Sequence, residues 1–244
     1  MRIALAAVGL GLFLAVWQAV GHYHLAGLSW PSLVEVLGVL LDPDRRPLFG
    51  RALAATLSAT ALGYCAGLLI GLGAAVATHL WPVARPGTDR LAAVVHSIPS
   101  IALAPVFIVF LSRESTPVAI AAAHAAFVIY VAACSGLAAA SRGHGELFTV
   151  LGASRLQRLW RLDLPAALPA LSSGLKLAVP VSLIGAVIGE WFGAPRGLGV
   201  LIVNAMQNFQ IPLLWSAVTL IAAASLTFYS VLTLVERGCY ARFA

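Results

Sequence analysis

Six stretches of about twenty mostly apolar residues divide this chain, near 3–21, 54–80, 91–111, 117–140, 173–193 and 213–235. A run of that length crosses the hydrocarbon core of a bilayer as a helix. Lipid offers no hydrogen-bond partner to an open strand edge, so helices are the reading for such runs. A membrane β-barrel would alternate apolar and polar residues over stretches of about ten, and no such alternation is present. The expected fold is all-α and integral to the membrane, with six transmembrane helices. Composition agrees: 61% of residues are hydrophobic and 10% are charged, whereas soluble domains carry about 25% charged residues.

The net charge of +6 comes from fourteen arginines and one lysine against nine acids. These arginines lie between apolar runs, so they read as a topology signal and not as a nucleic-acid surface. With the N-terminus placed in the cytoplasm, ten Lys/Arg fall on the inside and five on the outside. Both termini are therefore expected inside. The run from Ile3 to Val20 could also be a cleaved signal peptide, but it is long for one and no A-x-A site follows. An uncleaved first span is expected. Cys65, Cys134 and Cys239 are far apart and lack the spacing of a disulfide framework or a zinc site.

The first outside loop contains "WPSLVEVLGVLLDPDRRPLFGR", Trp30 to Arg51. Val34, Val36, Leu37, Leu40 and Leu41 would cluster on one face, which predicts a short interfacial helix ended by Asp42-Pro43-Asp44. No linker or internal repeat divides the chain, so residues 1–244 read as one domain. Gly63, Gly67 and Gly71 form a stripe at spacing four, which lets two helix backbones approach closely.

Polar residues inside apolar runs are the candidates for a pathway. In "VVHSIPSIALAP", Val94 to Pro105, each proline removes a donor and can kink the helix. Ser97 and Ser100 could line a pathway there or be satisfied by neighbouring helices, and His96 reads as a structural hydrogen-bonder. Glu190 is an acid near the end of the fifth run. Such a group faces a bundle interior or an aqueous cavity. It could hold helices together, gate a pathway, or carry a proton. The Pro195–Gly199 stretch breaks the helix after it. The segment holding Asn204, Gln207, Asn208 and Gln210 is too short and polar to span, and fits a periplasmic or re-entrant hairpin.

Between the fourth and fifth runs lies a polar stretch, 141–172. Ser154 and Gln157 form a capping box at the start of a helix to Leu162. Leu156, Leu159, Trp160 and Leu162 would share one broad face of it, with Arg155 at its edge. Gly152 supplies a sharp turn after a shorter helix, Gly145 to Leu151. Pro165 and Pro169 then lead the chain back to the bilayer. An amphipathic helix lying on anionic headgroups would explain the arginines and Trp160, but not the helix-turn-helix.

That stretch resembles the cytoplasmic signature of bacterial ABC importer permeases of the binding-protein-dependent type I class: E-A-A, three residues, G, nine residues, then I-x-L-P. Here Glu146-Leu147-Phe148 is followed at the same spacings by Gly152 and Leu162-Asp163-Leu164-Pro165. Leu147 and Phe148 replace the two alanines, and Leu162 replaces the isoleucine. Thr56-Leu57, "SIPSIALAP" and "GEWFGAPRGLG" resemble the branch that imports nitrate, sulfonates, taurine or pyrimidine precursors.

The resemblance implies a type I importer permease fold in the bacterial cytoplasmic membrane. It implies that Glu146, Gly152, Ala153, Ser154, Arg155, Arg158, Leu164 and Pro165 form a coupling loop that docks on a separate ATP-binding cassette ATPase. Two permease copies would form the pathway, with a periplasmic or lipid-anchored solute-binding protein above. ATP and Mg would sit on the ATPase. This chain is expected to hold no cofactor, metal or catalytic residue. Its single lysine, Lys176, is followed by Leu177, so it has no phosphate-binding loop. Ser97, Glu190 and Asn204 are the pathway candidates. The rival from another class is an ion-coupled secondary transporter with Glu190 as carrier. A membrane scaffold without a pathway is the third, and the polar breaks argue against it.

Overall fold

The computed structural model describes residues 2–243. Among the described residues eleven α-helices run in order: α1 (Arg2–His22), α2 (Leu33–Leu41), α3 (Arg46–Leu80), α4 (Arg85–Ser97), α5 (Ser100–Phe110), α6 (Thr116–Leu137), α7 (Arg142–Val150), α8 (Arg155–Arg158), α9 (Leu164–Glu190), α10 (Leu198–Gln207) and α11 (Ile211–Phe243). Four segments are each long and apolar enough to cross a membrane: Pro43–Leu80, Thr116–Leu137, Arg155–Glu190 and Ile211–Ala241. The α4–α5 pair passes as a fifth, although it is bent by 99°. The first expected span falls on α1, whose apolar stretch Ala7–His22 is shorter.

Small residues set the packing of the core. A Cβ added at Gly63 would lie 2.5 Å from Ala121 Cβ, and one at Gly67 would lie 2.6 Å from Ala125 Cβ. The glycine stripe of α3 is thus pressed directly onto the alanines of α6, close enough that no side chain fits between. Gly63, Gly67 and Gly71 meet α6 in ascending order, from Val118 to Tyr130, so α3 and α6 run parallel. Against α9 the order reverses: Gly136 meets Ala167, while Pro117 meets Gly189.

Parallel packing fixes the role of the bent pair. The chain leaves α3 at Leu80, at one end of the bundle, and enters α6 at Thr116, at the other. The α4–α5 pair therefore carries it across, in two pieces and not as the continuous third span expected from sequence. The bend arises at Pro99. It supplies no N–H, and Ile98 before it is extended, with φ −72° and ψ 124°. Pro105 lies inside α5 without ending it.

α11 runs antiparallel to α9: its first turns pack with α10, and Glu236 near its far end pairs with Lys176. The far end of α11 therefore lies at the end of the bundle that holds α7 and α8. α1 joins the opposite end. Trp17 Nε1 donates to Pro31 O at 3.1 Å, and its ring meets Trp215 at 5.2 Å.

α2 forms where expected, started by a Ser32/Glu35 capping box, but its apolar residues do not form one membrane face. Val36 is buried and Ser216 of α11 donates to its carbonyl at 3.0 Å, while Val34 and Leu41 point outward. α2 is thus strapped onto α11.

The chain returns to the bilayer after α8 through Pro165, as expected, and does so continuously. No break occurs at Pro165. A π-helical turn, Leu159–Asp163, runs α8 straight into α9. The wider turn absorbs the ring and missing donor of Pro165, which then lies in the first turn of α9, where a missing N–H is tolerated. The turn also splits the expected apolar face. Leu159 enters the core beside Ala75, Tyr130 and Leu171, while Leu156 and Trp160 are exposed.

Candidate functional site

Two polar structures stand at opposite ends of the bundle. The first is the elbow formed by α7 and α8. Ser141 caps α7 by accepting from His144 N–H at 3.3 Å. α7 closes in a paired C-cap: Ala153 N–H reaches Phe148 O and Gly152 N–H reaches Thr149 O, each at 3.0 Å. That closure needs a left-handed residue, and Gly152 has φ +69°. Two residues later Ser154 starts α8. Its hydroxyl accepts from Gln157 N–H at 3.3 Å, and the Gln157 side chain accepts from Ser154 N–H at 2.9 Å. A cap that ends one helix is followed at once by a box that starts the next. The turn is therefore set locally.

The elbow is tied back to α3 by Arg155 and by Asp163, which Arg158 also holds. Arg155 Nη1 donates to Leu80 O at 2.9 Å, taking one of the open carbonyls at the α3 C-terminus. Asp163 is fully buried, and its carboxylate meets His79 Nε2 at 2.8 Å and Arg158 Nε at 3.4 Å. Gly145 leaves room for the Arg158 guanidinium, which would lie 3.2 Å from a Cβ there. Arg155 and Arg158 thus face the bundle. Much of what projects outward is apolar: Leu147, Val150, Leu151, Leu156 and Trp160, with Glu146, Gln157 and Arg161 exposed beside them. Leu147 is 52% exposed, whereas Phe148 is half-buried. Leu164 and Pro165 begin α9 behind the elbow.

The second structure surrounds Glu190, which is 2% exposed. Helix α10 starts at Gly197, which has no side chain to serve as a cap. Its first N–H groups are satisfied from elsewhere. Leu198 N–H donates to Thr56 Oγ1 at 2.8 Å, and Gly199 N–H donates to Glu190 Oε2 at 2.7 Å. Thr56 Oγ1 also lies 3.1 Å from Glu190 Oε2 and 3.2 Å from Ala52 O, the two acceptors open to its proton. Side chains from α3 and α9 therefore cap a third helix, with the carboxylate at the positive end of its dipole. Gly197 packs directly on the Glu190 carboxyl, so a side chain there would displace it.

Two open clefts flank this clasp and share Pro195 and Arg196. One, of about 560 Å³, is lined by Arg51, Arg196 and Asn204 among others; the other, of about 390 Å³, includes Glu190, Ser58 and Glu114. Glu190 and Asn204 are thus brought to one end of the bundle, on adjoining clefts. Ser97 lies apart at the α4–α5 bend, where its hydroxyl donates to Val94 O at 2.8 Å. His96 is not a hydrogen-bonder there: its ring stacks on Phe127 at 3.8 Å. The neighbouring His124 does hold polar contacts. Its Nδ1 donates to Ile120 O and its Nε2 accepts from Ser100 Oγ, both at 2.9 Å.

Sequence reasoning missed Thr56 as a cap, the His79–Asp163 pair and the Lys176–Glu236 ion pair between α9 and α11. The one signal available was the presence of Asp163, Lys176 and Glu236 within or beside apolar runs, where an ionised group requires a partner. Among the described residues no group of three or more His, Cys, Asp or Glu is placed to hold a metal ion.

Known proteins resemble this chain in both sequence and fold. Residues 67–240 match the family model described as "Binding-protein-dependent transport system inner membrane component". The chain is similar to the formylaminopyrimidine transport permease protein ThiX of Halalkalibacterium halodurans, with 26% identity over 92% of this chain and 90% of that protein. It is also similar to the taurine transport system permease protein TauC of Escherichia coli, with 27% identity over 91% and 83%. Among solved structures, an inward-facing MetNI methionine ABC transporter chain superposes with a TM-score of 0.74 at 19% identity, covering 82% of this chain and 99% of that one.

Proposed function

Because this chain belongs to the family of inner-membrane components of binding-protein-dependent transport systems, we propose that it forms the translocation pathway of an ATP-driven importer. The energy comes from a separate ATPase subunit, which binds ATP and Mg. A solute-binding protein delivers a small solute of the taurine, sulfonate, nitrate or pyrimidine-precursor kind, and two copies of the chain enclose the route.

The observation that carries this reading is the elbow. Its turn is fixed by the Gly152 cap and the Ser154 box, its exposed apolar residues point away from the bundle, and Arg155 and Asp163 bind it to α3. Such a body transmits a rigid displacement to the helices it is tied to. Glu146 and the outward apolar residues meet the ATPase in this reading. Gly152, Ala153 and Ser154 hold the turn, Leu164 and Pro165 seat the elbow on α9, and Arg155 and Arg158 act as tethers. Both termini and the elbow face the cytoplasm, supported by the charge count and by the end of the bundle that the elbow shares with the far end of α11.

Glu190 serves as the clasp that holds α10 to α3 at the opposite end, and Asn204 lines the adjoining cleft. Glu190 Oε2 is shared between Gly199 N–H and Thr56, on two other helices, while among the described residues Oε1 has no partner; the bonded oxygen suits a contact that holds α10 to α3. The test is uptake by proteoliposomes containing the permease, its ATPase and its binding protein. Uptake is expected to require ATP and to survive a protonophore. Uptake that persists without the ATPase and collapses with the proton gradient would overturn the reading.

A further inference from the structure

A cleft of about 340 Å³ opens between the end of α3 and the elbow, with His79, Leu80, Arg85, Arg155, Arg158 and Asp163 in its wall. Three guanidiniums therefore line a space whose single carboxylate is already engaged by His79 and Arg158. Each guanidinium carries five N–H donors. Arg155 commits one to Leu80 O, and Arg158 directs Nε at Asp163. Arg85 makes only an exposed 3.7 Å contact with Asp89, a pairing worth little at a surface. The cleft thus keeps a surplus of positive charge and many open donors, arranged in forks that match the oxygens of a phosphate.

Its position narrows the ligand. The apolar α3 ends at Leu80, and the next residues, Trp81, Pro82 and Val83, are strongly exposed, Trp81 at 64% and Val83 at 96%. An exposed Trp at the end of a spanning helix lies at the headgroup level of a bilayer. An anion entering the cleft at that depth is a lipid headgroup.

We propose that this cleft binds the phosphate of an anionic phospholipid, which ties the elbow and the α3 terminus to one leaflet. The bound headgroup bridges Arg85 with Arg155 and Arg158 and leaves the buried Asp163 contacts in place.

The test is native mass spectrometry of the detergent-purified full chain, titrated with phosphatidylglycerol and phosphatidylcholine of identical acyl chains. Phosphatidylglycerol is expected to be retained in preference. Arg85→Gln and Arg155→Gln should each lower its occupancy about fivefold, the ratio corresponding to one basic residue at a membrane surface. Arg85 is half-exposed, so its variant tests the site without disturbing the fold even where Arg155→Gln destabilises the elbow. Arg237→Gln removes a charge from the same end but not from this wall, and is expected to change nothing. Equal retention of the two lipids, an equal loss with Arg237→Gln, or full displacement of phosphatidylglycerol by equimolar inorganic phosphate would each overturn the assignment.

Discussion

Replacing Glu190 separates a clasp from a carrier. Glu190→Ala removes the acceptor of Gly199 N–H and the partner of Thr56 in a fully enclosed setting. A lost hydrogen bond to a charged group costs about 1.5–3 kcal/mol, and an orphaned buried donor about 1–3 kcal/mol more. The sum, about 2.5–6 kcal/mol, corresponds to a fall of roughly 5–20 °C in unfolding temperature for a chain of this size. Glu190→Gln is different. Its amide oxygen can still accept from Gly199, so the bond to α10 is kept; the charge's contribution of about 0.3–1 kcal/mol at the α10 N-terminus is lost, and an amide N–H takes the place of the unpartnered Oε1. The expected fall is about 3 °C. Uptake should stay within about fivefold of the parent, since a loss below about 1 kcal/mol moves an equilibrium less than that. The assays are thermal unfolding in detergent and ATP-driven uptake in proteoliposomes. A proton carrier predicts the reverse pattern, because a carboxamide cannot exchange a proton. Glu190→Gln protein that unfolds like the parent but transports nothing would refute the clasp. Thr56→Val supplies an independent check: it strands Leu198 N–H, and its effect should couple to that of Glu190→Ala by about 0.5–3 kcal/mol.

Gly152→Val places a β-branched residue at φ +69°, with open space around its Cβ, so the cost is backbone strain of at least about 1–2 kcal/mol. The variant should insert and retain its ATPase but lose uptake while hydrolysis continues; Gly152→Asn, which tolerates that backbone, should retain uptake. Gly67→Val drives a side chain into Ala125 and the Ala122 carbonyl, 2.6 and 2.7 Å away, and overpacking of this kind costs about 1–3 kcal/mol or more. Gel filtration should show loss of the folded peak, while Gly73→Val, with nothing within 4 Å, should behave as the parent. Leu147→Glu, on the exposed face of the elbow, should reduce co-purification of the ATPase without changing unfolding temperature. Phe148→Ala, on the half-buried side, should do the opposite, and an exchange of these two outcomes would place the docking face elsewhere.

Residues close in sequence carry most of what is legible without the structure. The apolar runs mark the crossings, four long helices and the bent pair, because length and polarity decide what a bilayer accepts. The elbow is legible because its devices are local: a left-handed glycine followed at once by a Ser/Gln box. Proline is ambiguous for a physical reason. Pro99 breaks a helix, whereas Pro105, Pro169 and Pro180 lie inside helices and Pro165 sits behind a π-helical turn. The effect of a missing N–H depends on which other group can take the freed carbonyl, and that is a tertiary matter. The inward direction of Arg155 and Arg158 is hidden likewise, since the first contacts Leu80, 75 residues away, and the second serves an acid paired with His79, 84 residues from it.

The hidden contacts are also what join the two ends of the molecule. α3 is held to the elbow at His79 and Leu80 and caps α10 with Thr56. The 24 residues from Thr56 to Leu80 lie in one unbroken helix, about 36 Å long at 1.5 Å per residue. Its glycine stripe fits so closely on α6 that the two helices can slide or tilt together but cannot compress. In the proposed reading a displacement of the elbow would be delivered along α3 to the Glu190 clasp. The clasp in turn has a contact to lose, because Thr56 is bonded at once to α9 and to the first turn of α10. An element tied at both ends by polar contacts and incompressible between them is what a transporter needs to make an event at one face felt at the other.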